Sequence, residues 1–410
     1  MTRTRAYALV AAAAALPRLA ALLVERGDIT AEFVDKGDVF AQTLVASGTY
    51  GFVPDVPSAY TQPLYGWFLA PVYWVVGRSW ATVGTAQVLV AILTALLVYE
   101  LGRRLVPQRA ALVAALLTTL HPYLVWHDVH MNRELLDQAL AVGLVLATLV
   151  TAQRGTLAWG ALAGAVAGVA ILGNVRLVLV PLVLAAFVAL RSTVVPALAL
   201  LVVSVLVVAP WVVRNELSVG CVALTTDSRA LWKANNEHTL ETLRAGGWID
   251  DVPRIPGSPP TPQEAWGVYE ATGRVVPVDE CEQMRFYREE ALEFMRDQPG
   301  EKAKLAALAA QMYWQPRVTK TEGRAGSGSW LDTARDWVEP AYVVALLVLA
   351  AFGLRRVPRH YLVLAAALLA YNTLAAMLFA GETRYRVPWD FLFAIPAGAT
   401  LVALLGRRRP

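Results

Sequence analysis

Apolar runs near bilayer-spanning length recur ten times along this 410-residue chain, at about 6–24, 80–99, 110–125, 134–152, 156–173, 177–190, 194–212, 338–354, 361–380 and 387–405. Nothing else constrains the fold as tightly, because a soluble core has no room for so many such segments. Composition agrees, with 57% hydrophobic residues and a mean hydropathy of +0.47. The arginines then give the runs a direction. With the N-terminus inside, the inner connections hold Arg3, Arg5, Arg103, Arg104, Arg109, Arg154, Arg191, Arg355, Arg356, Arg359, Arg407, Arg408 and Arg409. These are thirteen of the 36 lysines and arginines, and Glu100 is the one acid among them. A bias repeated at every inner connection follows the positive-inside rule. It predicts an all-α polytopic protein of the plasma or inner membrane, with both termini cytoplasmic. The first run has some features of a cleaved signal peptide. Arg18 interrupts its apolar core, however, and its removal would invert the charge pattern, so it reads as the first span.

Two long outer segments follow from this topology. The first, about 25–79, contains "PSAYTQPLYGWFLAPVYWVVG", which is aromatic, apolar and broken by Pro63 and Pro71. An interfacial helix fits it, with Tyr65, Trp67, Tyr73, Trp74 and Trp80 at headgroup depth. The second, about 213–337, holds both cysteines, Cys221 and Cys281. Two thiols confined to an oxidising compartment imply one disulfide. Within this segment Met284, Tyr287, Ala291 and Met295 share one helical face, and the linker-like run "EGRAGSGSW" carries a loop near Ser327–Ser329 that would close over a ligand. The chain therefore divides into an N-terminal membrane core (1–212, including the outer loop 25–79), a small, mainly helical extracytoplasmic domain (213–337) and C-terminal membrane helices (338–410). No sequence feature points to nucleic acid, and no phosphate-cradling glycine loop is present.

Several short motifs occur in a set order. An acidic turn leads into "DVFAQTLVASGTYGF", followed by "AYTQPLY", then "PWVVRN", "LWKANN" and finally "RYRVP". Together with the ten runs, this order resembles the GT-C superfamily of integral-membrane glycosyltransferases, in particular its family 39-like branch of protein mannosyltransferases and lipid A aminoarabinose transferases. The resemblance implies transfer of a single hexose or pentose, with inversion, from a polyprenyl-phosphate donor to an extracytoplasmic glycan, lipid or protein.

The chemistry of such a transfer tells which residue types to look for. A donor phosphate at the headgroup plane calls for arginine, whose planar, permanently charged fork matches phosphate oxygens. Arg384 and Arg386 lie on the outer side, against the topology rule, and an anionic headgroup would compensate them; Arg214 and Arg176 stand at other outer helix ends. A proton acceptor in the first outer loop calls for a carboxylate. Asp38 fits the family position best and also suits an N-cap for a helix beginning near Val39; Asp35 is the second choice, with Lys36 between them. In "HPYLVWHDVHMNRELL", His127, Asp128, His130 and Glu134 are spaced to share a helical face. They form either a divalent-metal site or a polar cluster for acceptor or donor sugar; no other cofactor is suggested. Asn235 in "WKANN" offers a further sugar-binding amide. The competing reading is a membrane transporter or lipid flippase of envelope polysaccharide assembly, for which polar groups would be spread through the spans.

Overall fold

The structure is a computed structural model that describes residues 2–31, 34–317 and 330–406, with the side chains of 330–335 left aside. Among the described residues every regular element is helical, and the one β contact is an isolated bridge between Val53 and Val56. The protein is an all-α, multi-pass membrane protein. Helix α1 (Arg3–Val24) is followed by α2 (Lys36–Ser47), α3 (Pro63–Val76), α4 (Trp80–Leu105), α5 (Gln108–Thr119), α6 (Pro122–His127), α7 (Glu134–Arg154), α8 (Leu157–Gly173), α9 (Val180–Arg191) and α10 (Val194–Val219). A set of shorter helices comes next, α11 (Arg229–Lys233), α12 (Thr239–Arg244), α13 (Pro262–Thr272), α14 (Glu280–Asp297) and α15 (Pro299–Trp314). The chain then re-enters the bundle with α16 (Trp330–Gly353), α17 (Arg359–Leu378), α18 (Thr383–Arg386) and α19 (Phe391–Gly406).

All ten apolar runs are helical, but they are not equally long. Among the described residues six helices have the length and composition of a span, and the pair Thr383–Trp389 and Phe391–Gly406, bent by 56°, makes a seventh if counted as one span. The others fall short: α5 and α9 have 12 residues each and α8 has 17. Twelve residues rise only about 18 Å, well under the ~30 Å hydrocarbon core. The local causes are visible. His121 precedes Pro122 and is extended (φ −58°, ψ 123°), as the residue before proline prefers, so α5 stops and α6 starts in a new direction. Asn174 likewise ends α8 in an extended conformation before Pro181 opens α9.

Small residues bring the helices close. Gly160, Gly164 and Gly168 recur every fourth residue on α8, where added Cβ atoms at the first two would come within 2.3 and 2.4 Å of the Pro196 and Leu200 carbonyls of α10. That is small-residue packing of the kind lipid-embedded helices use. Arg3, Arg103 and Arg104 all pair with Glu100, so the start of α1 and the end of α4 share one end of the bundle. The 34–79 loop and the α11–α15 domain occupy the other end.

Helix α3 turns only part of its aromatic set outward. Trp74 is 78% exposed and Trp67 39%, but Tyr65 and Tyr73 turn inward. Their hydroxyls donate to Gln87 (2.7 Å) and Asp38 (2.5 Å), so they serve as internal ties within the protein.

In the α11–α15 domain, Tyr287 and Ala291 of α14 are buried and Met295 packs beside them, on the face the periodicity predicts. Helix α10 extends past the expected boundary at 212 to Val219, where Gly220 (φ 84°) provides the left-handed stop. Cys221 follows at once and is bonded to Cys281 across a sequence separation of 60, with Cα atoms 5.7 Å apart. Closing a loop of this length stabilises the folded state by about 4 kcal/mol in the chain-entropy model. Cys221→Ser/Cys281→Ser should therefore melt at a visibly lower temperature in detergent, and dithiothreitol should reproduce the shift in the wild type. The expected Ser327–Ser329 loop lies outside the described residues.

Candidate functional site

A cavity of about 830 Å³ opens between the bundle end and the α11–α15 domain. Its bundle-side wall carries Asp35, Lys36, His127, His130, Arg133, Glu134, Arg176, Arg384 and Tyr385; the opposite wall carries Asp227, Arg229, Lys233, Trp248, Asp250 and Glu264. Residues more than 340 positions apart in sequence thus meet in one space.

Asp35 is positioned by helix geometry. It is the N-cap of α2, and its Oδ1 accepts from the Gly37 N–H at 2.7 Å. Burial pushes its carboxyl above the usual aspartate range, with Arg133 opposing that shift. Asp38, the expected base and cap, behaves differently. It is 1% exposed, sits inside the first turn, and is absent from the cavity wall. Its oxygens accept Arg78 Nε (2.9 and 3.1 Å) and Nη2 (2.8 Å), the Tyr73 hydroxyl, and Gln42 Nε2 (2.9 Å). Asp38 therefore ties α2 to α3 and the start of α4, and it is the Asp35 carboxyl that meets the cavity.

The four expected phosphate ligands divide in the same way. Arg384 and Arg176 line the cavity. The Arg176 guanidinium lies 3.7 Å from the centre of the Tyr385 ring, and the Arg384 guanidinium 4.7 Å from it. Arg384 also donates to the Tyr385 hydroxyl (2.6 Å) and has Nε 3.8 Å from Glu134 Oε1. The turn carrying it is held close to α15: an added Cβ at Gly381 would fall 1.7 Å from the Ala309 carbonyl oxygen. Arg386 is fully buried. It pairs with Asp390 (3.0 Å) and donates to the Tyr313 and Gln315 carbonyls, away from the cavity. Arg214 donates to the Ser58 and Tyr50 carbonyls (2.9 Å each), bracing the 50–58 loop outside the cavity wall.

The histidine-rich turn is also split. Glu134 and His130 face the cavity; His130 Nε2 stands 3.6 Å from Glu25. Asp128 points the other way, into a buried ion pair with Arg18 (2.7 Å). Among the described residues no three His, Cys, Asp or Glu side chains gather as ligands for an ion, because the helical register expected of this stretch is broken after His127. Asn235 donates to the Leu231 and Leu378 carbonyls and accepts Lys302, which leaves it joining α11 to α17 rather than lining the cavity.

Two cavity residues carried a signal that the motif reading left unused. Arg133, whose Nη1 donates to Gln62 (2.6 Å), is another arginine at the end where the topology rule disfavours it. Tyr385 lies inside the quoted "RYRVP" and is placed against both cavity arginines.

Comparison with known proteins adds to this geometry. Residues 55–213 match the family described as dolichyl-phosphate-mannose-protein mannosyltransferase. The match starts in the loop before α3 and runs through most of α10, so it takes in Glu134 and Arg176 but not Asp35 or Arg384. This match covers less than half of the chain. Among solved structures, the chain is similar to the archaeal oligosaccharyltransferase AglB from Archaeoglobus fulgidus, in complex with an inhibitory peptide and a dolichol-phosphate. The identity is 13% and the TM-score 0.47, over 98% of this chain and 50% of that one, so the chain spans half of AglB's length. It is also similar to ArnT from Cupriavidus metallidurans. In the undecaprenyl phosphate-bound form the identity is 16% and the TM-score 0.41, over 98% of this chain and 78% of that one. In the apo form they are 17% and 0.38, over 93% and 75%. No curated protein sequence is matched.

Proposed function

We propose that this protein is a membrane glycosyltransferase of the GT-C kind, which transfers one sugar from a polyprenyl-phosphate carrier to a hydroxyl-bearing acceptor at the extracytoplasmic face of the membrane. The observation that carries this reading is the shared cavity, where Arg384, Arg176 and Arg133 stand around the Asp35 and Glu134 carboxylates at the end of the bundle. Three guanidinium groups suit a donor phosphate and the negative charge that builds on its oxygen as the sugar leaves. Asp35 is the candidate general base for the acceptor hydroxyl, since it meets the cavity and Asp38 does not. Arg386 and Arg214 are assigned to scaffolding. The arginine bias at the opposite bundle end supports an extracytoplasmic cavity and cytoplasmic termini. A transport pathway would thread polar groups between the spans, and here the cavity residues sit at one end.

The test is incubation of purified protein with a panel of radiolabelled polyprenyl-phosphate sugars and envelope extract. Label should move from one donor to an extractable acceptor, and Arg384→Ala should abolish the transfer. No transfer from any member of the panel would overturn the proposal.

A further inference from the structure

Two buried polar side chains at the cavity have no part in the scheme above. Asp137 lies in the first turn of α7, and Asn174 follows the end of α8. They are hydrogen-bonded in series. Asn174 Nδ2 donates to Asp137 Oδ2 at 2.9 Å, and Asn174 Oδ1 accepts the Arg176 backbone N–H at 3.2 Å. A carboxylate offers no N–H, so the amide meets Asp137 through its NH2, and its oxygen is left to cap the short 3-10 turn Val175–Leu177. Asp137 thus dictates which way the amide points, and the amide fixes the backbone that carries Arg176. From another side the Tyr371 hydroxyl of α17 donates to the Arg176 carbonyl at 2.5 Å. The guanidinium rests on ring faces, 3.7 Å from the centre of Tyr385 and 5.9 Å from that of Phe379. Ring faces do not direct a guanidinium as a carboxylate fork does, so the backbone of the turn decides where it stands. Asp137 and Arg176 also border one small pocket of about 10 Å³ together with Tyr385.

We infer that Asn174 is a positioning residue for Arg176, oriented by Asp137, and that it sets the place from which this guanidinium meets the carrier phosphate. A cap alone would be supplied by Asn174 beside any neighbour. A buried carboxylate at the mouth of a span is expensive, and what it adds here is a single orientation of the amide. Arg176 and Arg384 share the Tyr385 ring, at 3.7 and 4.7 Å, so a turn that slips carries one guanidinium away from the other. Two guanidinium groups closing on one anion are sensitive to such a slip, because their hydrogen bonds are directional. The inference rests on the polyprenyl-phosphate reading proposed above.

The experiment measures undecaprenyl phosphate affinity in a double-mutant cycle, with undecaprenol as the phosphate-free control. Asn174→Ala should weaken undecaprenyl phosphate binding about tenfold, the worth of one charge-assisted hydrogen bond, and leave undecaprenol binding unchanged. Arg176→Ala should weaken it at least as much. Adding Asn174→Ala to Arg176→Ala should then cost less than about twofold, since no guanidinium is left to position. A general loosening of the fold would weaken both backgrounds alike. Asn174→Asp sets two carboxylates against each other and should bind poorly, whereas the exchange Asp137→Asn/Asn174→Asp restores donor and acceptor in series and should return to within about threefold of wild type. The exchange also decides the matter if Asn174→Ala does not accumulate. Wild-type affinity in Asn174→Ala or in Arg176→Ala, an equal loss from Asn174→Ala with and without Arg176, or an equal loss of undecaprenol binding overturns this inference and leaves the sugar-transfer reading standing. So does an exchange variant that fails to accumulate or binds as poorly as Asn174→Asp. Wild-type protein that binds undecaprenyl phosphate no better than undecaprenol removes both.

Discussion

Asp35→Asn is expected to lower turnover by about 10²- to 10⁴-fold, the usual worth of a positioned general base, while leaving donor binding and melting temperature close to wild type. The asparagine side chain can still accept the Gly37 N–H, so the α2 cap survives and only the proton-accepting function is lost. Asp38→Asn should give the opposite pattern. It removes the charge partner of Arg78 and weakens the joint between α2, α3 and α4, so the melting temperature should fall, with much more residual activity below it than Asp35→Asn retains. If Asp38→Asn proves inactive at full stability and Asp35→Asn active, the assignment of the base is reversed. A pH profile checks the same residue. The base works only when ionised, so activity is lost as pH falls through its pKa. Because burial raises the Asp35 pKa, the acid limb of kcat/KM should lie above the ordinary aspartate value of about 3.9 and should vanish from the residual activity of Asp35→Asn.

Arg18→Ala should be the most damaging single change to stability, costing about 3–5 kcal/mol, because it leaves a buried carboxylate without its counter-charge. Arg18 and Asp128 are each 1% exposed and meet at 2.7 Å; Arg18 also donates to the Ala14 and Thr119 carbonyls and the Thr119 hydroxyl. No group in that pocket can replace so many bonds. The variant should accumulate poorly and melt early in detergent. Arg18→Leu/Asp128→Leu, which removes both charges, should recover most of the loss. An Arg18→Ala variant with an unchanged melting temperature would mean that the pair contributes nothing net.

The same residue shows how far a sequence can be read. An arginine inside an apolar run marks Arg18 as unusual, since an intramembrane charge needs a partner, but nothing local names that partner. Asp128 is 110 positions away, and its spacing from His127 and Glu134 places it in a candidate metal or sugar-binding cluster. That spacing assumes one continuous helix. The chain instead leaves α6 at His127 and starts α7 only at Glu134, so neighbours in sequence face different ways. The paired arginines of "RYR" part for a related reason. Arg386 finds Asp390 one turn on and is drawn into the interior, while Arg384, two residues earlier, is left facing the cavity.

Sequence alone determined the all-helical multi-pass architecture, the grouping of arginines at one bundle end and the anomaly of arginines at the other. It could do so because these properties follow from the solvent each segment must meet, which every residue reports locally through its own polarity. Tertiary structure decided which aspartate, which arginine and which histidine meet the cavity. That choice depends on helix phase, on where a helix stops, and on competing partners such as Arg78 and Asp390 that lie 40 and 4 positions from the residues they claim. Such competition is settled by distance in space, and only the folded chain sets that distance.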